Sequence, residues 1–303
     1  MSAGPDLLSV RAGVLDVEVR CSGSRDGWPA VLLHGFPYDA HSFDRVAEIL
    51  SDAGANVVVP SLRGYAGTRF VDDATMRSGQ QAAVASDLLE LLGALGLETP
   101  VVAGYDWGGR AACVVAALWP ERVSGLVTGN GYLLQDIAGA ATPSLPQHER
   151  PHWYQYYLHG ERGREGLLRY RGELARLLWE EWSPTWRFSD EDFETTRPAF
   201  DNPDFVDVVV HSYRHRYGLV AGDPAYDGTE RRIAERPVIG VPTIVLDGEH
   251  DTVSPPQPRS DHEPHFSALL DHRLVDAGHD LPQEAPADFA RAVVDVHAFR
   301  TSS

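Results

Sequence analysis

The apolar run Val101-Val102-Ala103-Gly104 passes directly into Tyr105-Asp106-Trp107-Gly108-Gly109, so one aspartate stands between glycines two residues before and two after it. Glycine at both places lets a chain leave a strand, turn sharply and enter a helix with the central side chain lifted above the sheet. Asp106 is therefore a candidate nucleophile; the alternative is a carboxylate that merely caps the following helix. A carboxylate is ionised at neutral pH and attacks without a base. On an acyl ester it gains little, because the product is a mixed anhydride, whereas on a saturated carbon bearing a leaving group it forms a stable alkyl ester. The electrophile is then an sp3 carbon, and a second step must hydrolyse the ester. His279, in Asp276-Ala277-Gly278-His279-Asp280, is the candidate base for that water. An acid to hold its imidazole follows Thr243-Ile244-Val245-Leu246, where Asp251 is preferred to Asp247. Asp247 ends the strand too early to reach across, while the chain from Asp251 to His279 has room for a helix and a strand.

The oxyanion of the second step needs N–H donors, each worth about 3 kcal/mol in comparable sites. One is expected from Trp107, directly after the nucleophile, and the other from Phe36 in Leu32-Leu33-His34-Gly35-Phe36-Pro37, a loop that follows an earlier apolar run. His34 and Pro37 of that loop are expected at the pocket.

These groups can meet only if they stand at the ends of strands in one sheet. Apolar β-type runs over 14–20, 30–33, 56–59, 100–104 and 123–128 alternate with amphipathic helix-length runs over 41–53, 80–95 and 108–119, the pattern of a mostly parallel sheet covered on both faces. Residues 132–236 differ, holding 16 of the 28 aromatic residues and half of the arginines, with helical periodicity over 166–182, 190–197 and 203–216. After Pro237 the first texture returns: a strand over 242–247, a helix over 258–269, a strand over 272–275 and a helix over 286–299. The chain thus reads as an α/β core, residues 1–131 and 237–303, interrupted by a helical cap, 132–236, whose aromatic content suits a lid over a pocket.

Composition removes other chemistries. All 26 basic residues are arginine, which excludes Schiff-base chemistry, lysine-bound pyridoxal phosphate and the P-loop lysine. A net charge of −18 argues against nucleic acid or an anionic membrane as partner. Cys21 and Cys113 lie in no ligand spacing and fit reduced thiols, residues 1–10 carry no signal-like pattern, and the Leu-rich stretch 88–97 is interrupted by Glu90, Gly93 and Gly96, so a cytoplasmic protein is expected. Asp261-His262-Glu263-Pro264-His265 has metal-capable side chains without tight ligand spacing and reads as a solvated helix start. No metal or organic cofactor enters the scheme; the expected partner is a small-molecule substrate, with a homodimer left open.

The order nucleophile, acid, histidine resembles that of α/β-hydrolases, here with an Asp nucleophile, and the chain looks most like the epoxide hydrolases. The resemblance implies an eight-stranded, mostly parallel sheet with an inserted cap. Within the cap His152-Trp153-Tyr154-Gln155-Tyr156-Tyr157 resembles the family's Tyr-Gln-x-Tyr-Phe stretch, and His211-Ser212-Tyr213-Arg214 its later Tyr-Arg segment. By that likeness Tyr154 and Tyr213 grip the epoxide oxygen, Tyr157 lines the pocket, and Arg63-Gly64-Tyr65 is a structural turn. Some relatives place the acid at a position matched by Asn130, which cannot be a charged partner.

The expected activity is opening of a neutral epoxide to a vicinal diol through an ester on Asp106. The alternative is a dehalogenase with the same triad. Haloalkane dehalogenases share the Trp after the nucleophile but commonly carry Asn where Phe36 stands. Fluoroacetate dehalogenases are matched at His152, Trp153 and Tyr213, and at Arg110, but lack a match for the Arg beside their nucleophile. A non-catalytic receptor that keeps the pocket is the third reading.

Overall fold

The computed structural model describes residues 5–301, with side chains through residue 299; the outer ends of the expected core segments, 1–4 and 302–303, lie outside them. β1 (Asp6–Ala12), β2 (Leu15–Gly23), β3 (Trp28–Leu33), β4 (Ala55–Pro60), β5 (Arg69–Phe70), β6 (Val101–Gly104), β7 (Gly125–Gly129), β8 (Thr243–Gly248) and β9 (Leu269–Val275) form one sheet. Its order is β1-β2-β4-β3-β6-β7-β8-β9, which gives the expected eight strands, and the two-residue β5 pairs with β2 beside that path. Pairings among β3, β4, β6, β7, β8 and β9 are parallel, while β2 is antiparallel to β1, β4 and β5.

The interior strands are the ones with unbroken apolar runs. Every residue of β6, β7 and β8 is buried, as parallel strands covered on two faces must be. The helices Asp106–Leu118 and Pro286–Thr301 both pack on β6 and β7, one on each face. The helix Gln81–Ala94 lies beside the first and Asp44–Asp52 beside the second. Each fully buried Val or Leu in these layers contributes about 2 kcal/mol. Among the described residues no helix is long and apolar enough to cross a membrane.

Between β7 and β8 the chain is helical, with Trp153–His159, Glu161–Arg169, Arg171–Trp182, Asp190–Thr196, Phe205–Arg216 and Asp227–Ala234 as its main helices. The single helix expected over 166–182 is divided at Tyr170, whose backbone leaves the helical region (φ −129°, ψ 37°). The helix expected over 258–269 is present only as the short α-helix Arg259–His262, which is followed by a short 3-10 turn, and Phe266 is extended and bridges Ile239. Pro264 has no N–H with which to continue a helix. β1 went unforeseen because its side chains are almost all exposed and give no alternation to read.

Candidate active site

Asp106 is the first residue of its helix and has φ +47°, a left-handed conformation for a residue with a side chain. Such backbone costs on the order of 1–3 kcal/mol and persists where its surroundings enforce it. Here they do so through glycine. A Cβ on Gly108 would run into the carbonyl oxygen of Leu33, and one on Gly35 would stand 2.6 Å from Cβ of Asp106. The loop after β3 can therefore lie directly against the nucleophile candidate, and the N–H of Phe36 donates to Oδ1 of Asp106 at 2.7 Å. Trp107 lies in the first helical turn, where N–H groups have no acceptor within the helix. The Phe36 donor thus meets the carboxyl group on which the ester would form, and the Trp107 N–H follows Asp106 directly in the chain.

His279 follows β9 and is buried, with Nδ1 donating to Oδ2 of Asp251 at 2.7 Å. The loop after β8 fixes Asp251 in turn: Oδ1 accepts from the N–H groups of Val253 (2.9 Å) and Ser254 (2.8 Å), and Oδ2 also accepts from the Asn130 amide at 2.8 Å. The N–H of His279 donates to Oγ of Ser183 at 2.9 Å, whose hydroxyl donates to Glu284 at 2.6 Å. Nε2 of His279 is buried with no partner, free for a water. Burial lowers the affinity of this imidazole for a proton, but the charge and hydrogen bond of Asp251, then the charge of Asp106, outweigh it and raise the pKa to about 9.

Aromatic rings close the space above. Phe36 is their hub, with Trp107, Tyr154, Trp182, Phe205 and Tyr213 at ring-centre distances of 5.3–6.5 Å. Tyr154 and Tyr213 are buried side by side, centres 5.3 Å apart. The Tyr213 hydroxyl has no partner; that of Tyr154 accepts from Gln155 at 2.8 Å. Burial pushes the Tyr154 phenol to about 12 and Tyr213 well above the usual value, so both keep their protons as donors. The indole N–H groups of Trp107 and Trp182 are likewise buried without acceptors.

The other expected pocket residues have the following surroundings. His34 is fully buried, with Nδ1 on the Gly35 carbonyl (3.0 Å) and Nε2 accepting the Leu62 N–H (3.0 Å). Burial lowers its pKa to about 4, so it is a neutral brace for the loop with both ring nitrogens committed. The carbonyl of Pro37 accepts from the Trp179 indole at 2.9 Å. Trp153 gives its N–H to Glu181 at 2.8 Å, which occupies the donor a halide would use, and Tyr157 packs against Gly166. Trp153 reaches the cluster around Phe36 edge-on through Tyr154, at 6.5 Å between ring centres, and Tyr157 packs on Trp153 at 6.2 Å. His152 is half-buried, which lowers its pKa, with Arg216 adding to the effect. Arg110 is buried one turn along the helix from Asp106.

Asp247 is committed away from His279: its Oδ2 faces Nε2 of His262 (3.1 Å), Nε2 of His272 (3.2 Å) and the N–H of Gln257 (3.1 Å). Asp247, His262 and His272 are the one group among the described residues that could hold a metal, their facing atoms already hydrogen-bond to one another, and His262 is buried here rather than part of the solvated helix start expected over 261–265. Trp182, Ser183 and Arg216 were not expected at the site, while Asn130 and Gln155 stood out in the sequence but not for the hydrogen bonds they make to Asp251 and Tyr154. Of the three unexpected residues, Trp182 and Arg216 had a signal, the aromatic and arginine enrichment of residues 132–236.

A strained Asp at a strand-to-helix turn, opposed by a histidine and acid from later strand ends, is the arrangement of a hydrolase core. Residues 29–286 match the family described as the alpha/beta hydrolase fold, and the chain belongs to that family. It is 41% identical to a candidate epoxide hydrolase of known structure from Klebsiella pneumoniae, with a TM-score of 0.94 over 96% of this chain and 97% of that one. It is 27% identical to the AB hydrolase superfamily protein YfhM of Bacillus subtilis over 231 residues, 74% of this chain and 78% of that protein. A fluoroacetate dehalogenase from a Burkholderia species is 37% identical over 112 residues, 37% of this chain, which spans about a third (36%) of that enzyme.

Proposed function

We propose that the protein is an epoxide hydrolase. The observation that carries this reading is the pair of buried phenols, Tyr154 and Tyr213, beside Asp106, with the Tyr213 hydroxyl lacking any partner. An epoxide leaves as a tethered alkoxide, too basic to depart without a proton or strong hydrogen bonds, and two protonated phenols fit that need. Asp106 attacks a ring carbon and the C–O bond breaks toward the phenols, which deliver a proton. His279 then takes a proton from water, which attacks the ester carbonyl while the N–H groups of Phe36 and Trp107 hold the oxyanion; collapse of this adduct breaks the ester C–O bond, His279 returns its proton to the departing diol oxygen, and the proton shed as the Asp106 carboxylate re-forms restores the phenol. Asp251 keeps the imidazole in the productive tautomer. Loss of the Asp106 charge on alkylation lowers the proton affinity of His279 at the moment a free base is required.

A second reading has one observation in its favour. The unpartnered indole N–H groups of Trp107 and Trp182 could receive a halide, as a dehalogenase requires. The deciding experiment is a panel of epoxides, uncharged and carboxylated, run beside chloroacetate and fluoroacetate. Diol formation exceeding halide release is the expected result; halide release with no diol from any epoxide would overturn the epoxide reading, and no turnover of any kind would favour a non-catalytic receptor.

A further inference from the structure

Arg110 stands about 6 Å of helical rise from Asp106 and is only 8% exposed. Arg216, at the end of the helix Phe205–Arg216, reaches the same place from the segment between β7 and β8. With its amide oxygen turned toward them, Gln135 accepts from both, at 3.2 Å from Nε of Arg110 and 3.0 Å from Nη2 of Arg216. Nη1 of Arg216 also donates to Oε1 of Gln155 at 3.3 Å, and its guanidinium carbon lies 4.8 Å from the centre of the Tyr213 ring. Every one of these partners is neutral. Among the described residues neither arginine has an ion pair, in a chain with 44 acids against 26 arginines.

Two adjacent guanidinium groups repel each other, and withdrawing one from water adds to the cost. Both effects depress Arg110, to about 10, burial first and Arg216 second, and Asp106 is the first of the opposing charges. Alkylation removes that opposing charge. A second anion placed between the guanidinium groups and the nucleophile relieves the repulsion through the whole cycle, and two planar forks from different elements can take both oxygens of a carboxylate.

We propose that Arg110 and Arg216 clamp a carboxylate and that the substrate is a short epoxy acid, its ring carbon at Asp106 and its ring oxygen at Tyr154 and Tyr213. The clause on the ring rests on the epoxide reading; the clamp rests on the arginines alone. With Arg110 one helical turn from Asp106, a carboxylate a few bonds from the ring suits the clamp. A neutral substrate was expected because Trp107 occupies the place of a second arginine beside the nucleophile, and Arg216 supplies that second cation from another element. The net charge of −18 does not oppose this at contact range, since charges beyond about 8–10 Å are screened at ordinary salt.

The test compares glycidate with glycidol, the same skeleton with and without the carboxylate, in wild type, Arg110→Gln and Arg216→Gln. The expected ratio of kcat/KM, glycidate over glycidol, exceeds 100 in wild type and falls at least tenfold in each variant, with partial recovery in Arg216→Lys. Arg216 is half-buried, so its variant carries the decision if Arg110→Gln fails to fold. A wild-type ratio near one, or a ratio that both variants leave unchanged, overturns the proposal. Binding of glycerate, the diol product, is measured by calorimetry on the same proteins to separate the two readings. If no epoxide, glycidate and glycidol included, is opened but glycerate binds wild type and is lost in Arg216→Gln, the epoxide reading falls and the clamp stands. Glycerate binding that is absent, or equal in wild type and variants, overturns the clamp.

Discussion

Asn130 donates its side-chain amide to Oδ2 of Asp251 at 2.8 Å, the same oxygen that receives Nδ1–H of His279. The position that could have carried the acid instead braces it, while two backbone N–H groups hold the other oxygen. Asp251→Asn disrupts the tautomer and removes the charge that stabilises imidazolium, so turnover is expected to drop by about 10⁴-fold. Asn130→Ala removes only one of four hydrogen bonds and should cost about tenfold. Asp247→Asn, which disturbs His262 and His272, should lower the melting temperature with a far smaller effect on kcat. Steady-state kinetics and thermal melts on the three variants check this, and the reverse pattern at Asp251 and Asp247 would move the assignment.

Because His279 serves only the hydrolytic half of the scheme, His279→Gln should alkylate Asp106 and stall. Intact-mass spectrometry is expected to show an adduct equal to the substrate mass. In a single turnover of wild type in heavy-oxygen water, the first diol should contain ordinary oxygen drawn from Asp106; a fully labelled first product would rule out the ester.

Replacing Tyr154 or Tyr213 by Phe removes a donor that matters most as the alkoxide develops. Alkylation should slow by about 10²-fold per phenol, and hydrolysis of a preformed ester should change little. Rapid-mixing measurements of the two steps distinguish this from a packing defect, which would slow both.

The proton affinity of His279 provides a pH test. Its pKa of about 9 is partly due to the charge of Asp106, so Asp106→Asn, which mimics the esterified state, should show a lower His279 pKa by NMR titration. Where ester hydrolysis limits the rate, kcat should rise with pH through a midpoint below 9. Stability moves the other way. A folded pKa raised above the unfolded value of about 6.5 gives a contribution fully present below that pH and lost as pH climbs through about 9. Melting temperatures of wild type should therefore fall over that window relative to His279→Gln.

The parts of the fold legible in the sequence are those where one kind of residue fills a whole element. β6, β7 and β8 are apolar throughout because both faces are covered, and Gly104, Asp106 and Gly108 mark a turn that little else in a chain requires. β1 was not legible because an exposed edge strand leaves its composition free. The helix expected over 258–269 shows the converse failure, periodicity overruled by Pro264. Asp106, His279 and Asp251 could be found because each sits at a strand end with a characteristic neighbourhood. Ser183 and Arg216 could not, since each acts through a partner far along the chain and no local pattern announces such a pairing, and Asn130 was legible as a position but not as a brace for Asp251.

The helix Arg171–Trp182 and the serine that follows it touch the hydrolase machinery twice: Trp179 holds the carbonyl of Pro37, next to the Phe36 N–H, and Ser183 holds the backbone of His279. The inserted segment is therefore not an interchangeable module. Transplanting a relative's segment onto this sheet, in the hope of importing its selectivity, would also import or delete the struts that align the donor and the base. Selectivity and catalytic alignment are inherited together here, and a graft that preserves activity must carry an indole at 179 and a hydroxyl at 183 along with whatever rings face the substrate.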